Sequence, residues 1–193
     1  MTVAVLALQG AFIEHINILN ELGINTVEVR QKSNWDLSFD GLIIPGGEST
    51  VIGKLLHELD LFWDVRDAIL AGLPVMGTCA GMIVLAQRIV NQHGSHLATM
   101  DIAVRRNAFG RQFDSFNISA DFAGEPVEMP FIRAPYIESV GDGVEVLSVV
   151  NDKIVAARQG NQLATAFHPE LTHNHFVHEY FVDMVMNCCT NGC

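Results

Sequence analysis

The stretch Leu73-Pro74-Val75-Met76-Gly77-Thr78-Cys79-Ala80-Gly81 constrains this chain more than any other. An apolar run ends at Gly77, and a helix-compatible run begins just after Gly81. Cys79 stands between the two glycines, in the Gly-x-nucleophile-x-Gly spacing of a strand-to-helix elbow, with sulfur in place of the commoner hydroxyl. A residue at the tip of so sharp a turn is strained, and side chains two positions either side would collide. The thiol then lies at the carboxyl end of a strand and the amino end of a helix, where N–H groups and the helix dipole favour thiolate. The alternative is a small buried hydrophobe ahead of an amphipathic helix.

The rest of the chain alternates to match. Residues 3–8 read as a buried strand. Residues 11–22 carry Phe12, Ile13, Ile16, Leu19 and Leu22 at helical spacing, and Gly23 stops the run. Residues 25–30 and 41–44 read as two further strands, the latter ended by Pro45-Gly46-Gly47. Helices are expected over 49–57 and 60–71, and the helix of the elbow is expected to run to about Val90. Such alternation predicts an α/β fold of three layers, αβα, around a doubly wound and mostly parallel sheet. Ligands in such sheets bind beyond the carboxyl ends of the strands. Gly10, Gly46-Gly47 and Cys79 all fall at such ends and are expected to converge. Alternation weakens over 97–135. Runs 144–150, 153–158 and 162–167 are β-rich and joined by Asn151-Asp152 and Gln159-Gly160-Asn161, which predicts hairpins. A closing helix over 174–188 places Phe176, Tyr180, Phe181, Met184 and Val185 at core spacing.

The 193 residues suit one domain over 1–193, with a frayed tail from about residue 187. Eleven basic against 22 acidic side chains, a net charge of −11, argue against a general nucleic-acid or anionic-membrane binder. No apolar run approaches the length of a membrane span. The apolar start, Met1 to Leu8, has no basic leader and reads as a first strand rather than a signal peptide. Of the four cysteines, Cys188, Cys189 and Cys193 crowd the last six residues and Cys79 stands alone in the body. That is no disulfide framework, and a reducing cytoplasm fits it best.

Two regions suggest a ligand. Pro45-Gly46-Gly47-Glu48-Ser49-Thr50 is followed by Gly53-Lys54, but Glu48 and Leu55 break the phosphate-loop pattern, and Glu48 would repel phosphate. The loop reads better as a source of backbone N–H groups for an oxyanion, with a carboxylate for an ammonium group. A plain Gly-rich turn with a Ser N-cap is the alternative. Arg105, Arg106, Arg111 and Arg133 concentrate positive charge in an acidic chain, which suggests at least one anion ligand such as a substrate carboxylate. Structural pairing with Asp114, Asp121 or Glu125 is the alternative for any one of them.

Cys79 needs a base. His168 follows an apolar strand and precedes Pro169, which stops that strand, and Glu170 lies two residues on. In an extended segment residues two apart project to one side. Glu170 can then orient the imidazole and steady its protonated form. His173, His175 and His178 cluster downstream, but no cysteine or carboxylate spacing completes a metal site, and a solvated helix start accounts for them. His93 and His96 are expected to be solvated in a polar loop.

Gly77-Thr78-Cys79-Ala80-Gly81 with His168-Pro169-Glu170 resembles the class I, triad-type glutamine amidotransferases. Four further blocks narrow the resemblance to the glutaminase subunits of pyridoxal 5′-phosphate synthases. They are Leu8-Gln9-Gly10-Ala11-Phe12-x-Glu14-His15, Pro45 to Thr50, Arg106-Asn107-Ala108-Phe109-Gly110-Arg111-Gln112, and Phe131-Ile132-Arg133-Ala134-Pro135. The resemblance spans residue 3 to about 185 and implies a flavodoxin-like fold. It implies Cys79 as nucleophile, with His168 as its base and Glu170 as orienter. Gly47, Glu48, Ser49, Arg106, Ile132 and Arg133 would hold L-glutamine, and backbone N–H groups of Gly47 and Ala80 would meet the oxyanion. Gln9 and Gly10 would belong to a loop coupled to the partner. That partner would be the synthase subunit, a β/α barrel with a dodecameric core. The resemblance implies no cofactor and no metal. Rival readings are the glutaminase of imidazole glycerol phosphate synthesis, a stand-alone cysteine hydrolase, and a non-catalytic regulatory subunit.

Overall fold

The computed structural model describes residues 1–35, 38–90, 92, 94, 96–106 and 115–191, the side chain of Asn191 excepted. Five strands form a parallel half-sheet in the order β2-β1-β3-β4-β12. They are β1 (Thr2–Leu6), β2 (Asn25–Val29), β3 (Gly41–Ile44), β4 (Val75–Thr78) and β12 (Gln162–Thr165). The chain winds from β1 outward to β2, then crosses back past β1 to β3 and β4, so this half is doubly wound as expected. Strands β1, β3 and β4 are buried along nearly their whole length, which is why they read as continuous apolar runs rather than alternating ones.

The other half is mixed. β11 (Lys153–Gln159) runs antiparallel to β12, and β9 (Tyr136–Val140) antiparallel to β11. β6 (Met100–Arg105) pairs antiparallel with β9 and parallel with β5 (Ala86–Ile89). β10 (Glu145–Val150) pairs with β11 through the expected hairpin, whose turn residues Asn151 and Asp152 both have positive φ, 49° and 59°. β7 (Ser115–Phe122) and β8 (Glu125–Ile132) make a separate two-stranded ribbon.

Helix α1 (Phe12–Glu21) packs on β1 and β2. Helix α2 (Ser49–Glu58) packs on α3 (Phe62–Leu70) and on α4 (Ala80–Leu85), and α4 rests on β4. Helix α5 (Phe176–Asn191) buries Phe181, Met184 and Val185 as predicted, and an added Cβ on Gly41 of β3 would touch both Phe181 and Val185. The expectation of a frayed end falls in part on residues 192–193, outside the described residues. Among the described residues no helix is long and apolar enough to cross a membrane.

One element differs in kind from its prediction. The helix after the elbow does not reach Val90; it ends at Leu85, and residues 86–89 pair with β6. Met82 to Ala86 is apolar without a break and Gln87-Arg88 follows, a stretch too short to set either period, and the available edge of β6 decides between helix and strand.

The ribbon is fixed by aromatic packing. Phe122 of β7 and Phe131 of β8 meet Phe167 edge-on, with ring centroids 6.3 and 5.9 Å away. Phe167 is fully buried, and the next residue, His168, donates its backbone N–H to the Pro130 carbonyl at 2.9 Å. The ribbon thereby brings the end of β8 to the end of β12.

The elbow holds one of the tightest backbone approaches in the fold. A Cβ built on Gly81 would lie 2.0 Å from the Ile44 carbonyl oxygen, a backbone atom that cannot turn aside. Gly81→Ala is therefore expected to cost about 3 kcal/mol or more in urea unfolding. Gly23→Ala is the comparison: its new methyl meets nothing within 4 Å, its φ is +74°, and its cost is expected to be about 1 kcal/mol. Equal losses would remove the packing argument.

Candidate active site

Four adjacent parallel strands deliver the site. β1 leads to Gln9 and Gly10, β3 to Gly46 and Gly47, β4 to Cys79, and β12 to His168 and Glu170. Their carboxyl ends lie side by side, so the expected convergence is a consequence of strand order. Cys79 has φ 49° and ψ −99°, the strained turn that the flanking glycines imply. It is buried, with 7% of its surface exposed.

His168 faces the Cys79 side chain on one side, where the two interact electrostatically, and hydrogen-bonds Glu170 on the other, with Nδ1 2.7 Å from Glu170 Oε1. Burial opposes charge on the ring. The interaction with Cys79, the hydrogen bond to Glu170 and the charge of Glu170 outweigh it, and the imidazole is pushed up to about 10. Burial likewise opposes the Glu170 carboxylate, yet His15 and His168 hold it below its ordinary range. The sequence places these groups for a different local reason than the one expected. Glu170 lies in a 3-10 turn, Pro169–Leu171, with Pro169 at its first position, rather than in an extended segment.

Gly46 lies against this pair. An added Cβ there would stand 2.4 Å from His168 Cε1 and 3.5 Å from Cys79 Cβ. The Gly46 carbonyl accepts from the Ala11 N–H at 3.2 Å. In a planar trans peptide the Gly47 N–H points to the opposite side, away from Ala11. Gln9 reaches the same loop, its Oε1 accepting from the Glu48 N–H at 2.7 Å. Ala80 opens α4 immediately after Cys79.

Glu48, and not Ser49, is the N-cap of α2. Its carboxylate accepts from the Thr50 and Val51 N–H groups at 3.2 and 2.9 Å and pairs with Arg106 at 3.0 Å. Burial is the largest single effect and opposes the charge, but the backbone and Thr50 hydroxyl donors, with Arg106, together outweigh it and hold Glu48 below the ordinary glutamate range. The Ser49 hydroxyl is left buried with no hydrogen-bond partner among the described residues. Arg106 also donates to Gln92 and Thr50, at 3.2 and 3.4 Å. Arg105 pairs with Glu138 instead. Ile132 and Arg133 are exposed at the end of β8, and Arg133 has φ 44°. Arg111, Asp114 and the block 107–112 lie outside the described residues.

The histidines of the sequence divide. His175 meets Glu21 at 3.3 Å near the surface. His178 is not solvated as the helix start suggested: it is fully buried, its Nε2 2.9 Å from Nδ1 of an equally buried His15. His15 Nε2 lies 3.3 Å from Thr78 Oγ1 and 3.5 Å from Glu170 Oε2. Its burial, the dominant cause, holds His15 below the ordinary histidine range, and burial holds His178 well below it. His96 is half-buried over Gly53 rather than solvated, and burial lowers it too. His93 lies outside the described residues. Among the described residues no three His, Cys, Asp or Glu side chains group as a metal site.

These shifts fix the sign of the pH dependence of stability. His168 is raised, so its contribution is complete below pH 6.5 and is lost as pH climbs towards 10. His15 and His178 are lowered, so their contribution is complete above 6.5 and is lost as pH falls below it. Melting curves from pH 5 to 10 are expected to decline at both ends. His168→Phe should flatten the alkaline decline and His178→Phe the acid one. Unchanged slopes in either variant would contradict the assignment.

The chain is similar to known proteins over nearly its whole length. The chain is 52% identical over 190 residues to the pyridoxal 5′-phosphate synthase subunit PdxT of Streptococcus pneumoniae serotype 2 (strain D39 / NCTC 7466), covering 95% of this chain and 97% of that protein. A crystal structure of a glutamine amidotransferase superposes with a TM-score of 0.90 at 45% identity, over 95% of this chain and 98% of that one. PurLQS from Thermotoga maritima, at 15% identity and a TM-score of 0.70, covers 97% of this chain and 98% of that one and shares the fold. Residues 5–187 match the SNO glutamine amidotransferases, and the chain belongs to that family.

Proposed function

We infer that this chain is the glutaminase subunit of a pyridoxal 5′-phosphate synthase, hydrolysing L-glutamine to L-glutamate and ammonia for a synthase subunit in vitamin B6 biosynthesis. The observation that carries the reading is the buried thiol–imidazole–carboxylate contact, set in a chain 52% identical to PdxT.

The chemistry follows from the groups. His168 takes the Cys79 proton, and the thiolate attacks the side-chain amide carbon of glutamine. Glu170 steadies the imidazolium. The backbone N–H groups of Gly47 and Ala80 receive the oxyanion, each such donor being worth about 3 kcal/mol. His168 returns its proton to the departing ammonia, and water activated by the same ring cleaves the glutamyl thioester.

The remaining roles belong to the same proposal. Gly47, Glu48, Ser49, Arg106, Ile132 and Arg133 hold glutamine. The unpartnered Ser49 hydroxyl supports this, and so does Arg106, which retains donors for a carboxylate beyond its Glu48 pair. Glu48 acts first as helix cap and anchor of Arg106, so its contact with the substrate is through the loop it shapes. Gln9 and Gly10 form the loop that couples the Gly46–Gly47 peptide to the partner. That partner is a β/α-barrel synthase subunit assembled as a dodecameric core, and the complex works in the cytoplasm without a cofactor on this chain.

Ammonia release from glutamine is expected to rise at least about 10-fold when the synthase subunit is added, and to vanish in Cys79→Ala. Full activity in Cys79→Ala would remove the nucleophile. Equal activity with and without the synthase would favour a stand-alone hydrolase. Arg106→Ala is expected to raise KM for glutamine by about 10-fold with a smaller effect on kcat.

A further inference from the structure

The triad carboxylate has a second oxygen that the reaction as described does not use. Glu170 Oε1 is taken by His168, but Oε2 is fully buried and has no partner in hydrogen-bonding geometry among the described residues. The group facing it is His15 Nε2, 3.5 Å away, with both side chains wholly shielded from solvent. His15 comes from α1, the helix that follows β1, and its ring is clamped from three directions. Thr78 of β4, the residue before the nucleophile, lies at 3.3 Å, and His178 of α5 lies at 2.9 Å.

The proton positions follow from what each alternative would leave unsatisfied. One proton lies between His15 Nδ1 and His178 Nε2. If His15 supplied it, neutral His15 would turn a lone pair towards the Glu170 carboxylate, and the buried His178 Nδ1 would hold an N–H with no acceptor among the described residues. If His178 supplies it, His15 carries its own proton on Nε2, aimed at Glu170 Oε2 and Thr78 Oγ1, and the unsatisfied His178 Nδ1 is only a bare acceptor. An orphaned acceptor beside no charge is the lesser penalty, and the second arrangement also gives Glu170 a donor. The charged and titratable groups around the pair are Glu14 of α1, His168 and Glu170 beyond β12, and His175 near α5.

We propose that His15 is a positioning residue of the triad: locked in its Nε2–H form by His178, it holds the second oxygen of Glu170 and so fixes the carboxylate plane against His168. The proposal rests on the reading of Cys79, His168 and Glu170 as the working triad. It gives a role to a buried histidine pair that glutamine binding and ammonia release do not otherwise require. Without the His15 donor the buried carboxylate holds its charge less well and protonates at higher pH. His168 then loses its counter-charge and the acid limb of activity moves upward.

Two amide variants separate positioning from packing. A glutamine at position 15 places its amide nitrogen near the site of Nε2 and still reaches Glu170. An asparagine reaches only the Nδ1 site and keeps the contact with His178 alone. In the complex with synthase, His15→Gln is expected to keep kcat within about three-fold of the original chain, with the same pH profile. His15→Asn is expected to lose about 10-fold or more in kcat at unchanged KM, with the acid limb raised by about one pH unit. The pH profile of Cys79 alkylation by iodoacetamide, read at Cys79 by peptide mapping, is expected to shift in the same way without any need for glutamine. Two variants that behave alike, or an asparagine variant that fails to fold while the glutamine variant is sound, would overturn the assignment. Should the unaltered complex fail to hydrolyse glutamine, the functional reading falls, and the alkylation profiles still decide the role of His15 by the same comparison.

Discussion

The structure depends on one crowded junction, the passage from β4 into α4. Cys79 occupies a backbone conformation that costs on the order of 1–3 kcal/mol for a residue with a side chain. That cost is borne because Gly77 and Gly81 let the helix descend onto the sheet until it touches the Ile44 carbonyl. The thiol is then held at the middle of the strand ends with little freedom to relax. The base and carboxylate follow β12 and the Gly46–Gly47 loop follows β3, the two neighbours of β4, and both are placed relative to this fixed point. Gly46, from β3, lies close enough to both Cys79 and His168 that a methyl group there would overlap the imidazole.

The parallel half of the sheet was legible because its strands and helices alternate and are punctuated by glycine, and because the chemistry sits at strand ends. Cys79, His168 and Glu170 could be singled out from residue type and spacing, and the packing of Phe181, Met184 and Val185 from helical period. What failed to show in the chain had physical reasons. Residues 86–89, Ala-Gln-Arg-Ile, are too few to set a helical or a strand period, and only the neighbouring edge of β6 settles it. Glu48 reads as a carboxylate beside a ligand, and nothing in the residue order reveals that its oxygens also turn back to the Thr50 and Val51 amides.

The pairing of His15 with His178 was the least legible feature, since it joins residues far apart along the chain and each alone looks like an ordinary surface histidine on a helix. A signal did exist. His15 falls one turn from Ile18 and Leu19, on the buried face of α1, and His178 falls between the buried positions Val177 and Phe181. A histidine in phase with the core stripe of a helix has to find a polar partner inside, and two such helices on one sheet offer each other that partner.

The position of β12 has a consequence for biosynthesis. Strand β12 lies between β4 and β11, so residues 162–165 must insert beside residues 75–78 before the two halves of the sheet join. Pairing over such a separation carries a large loop-closure cost and comes late in folding. The base and the carboxylate follow directly on that strand. A nascent chain that has already displayed its thiol therefore stays chemically unarmed on the ribosome until almost the whole polypeptide has emerged, and a truncated product carries a sulfur with nothing to activate it.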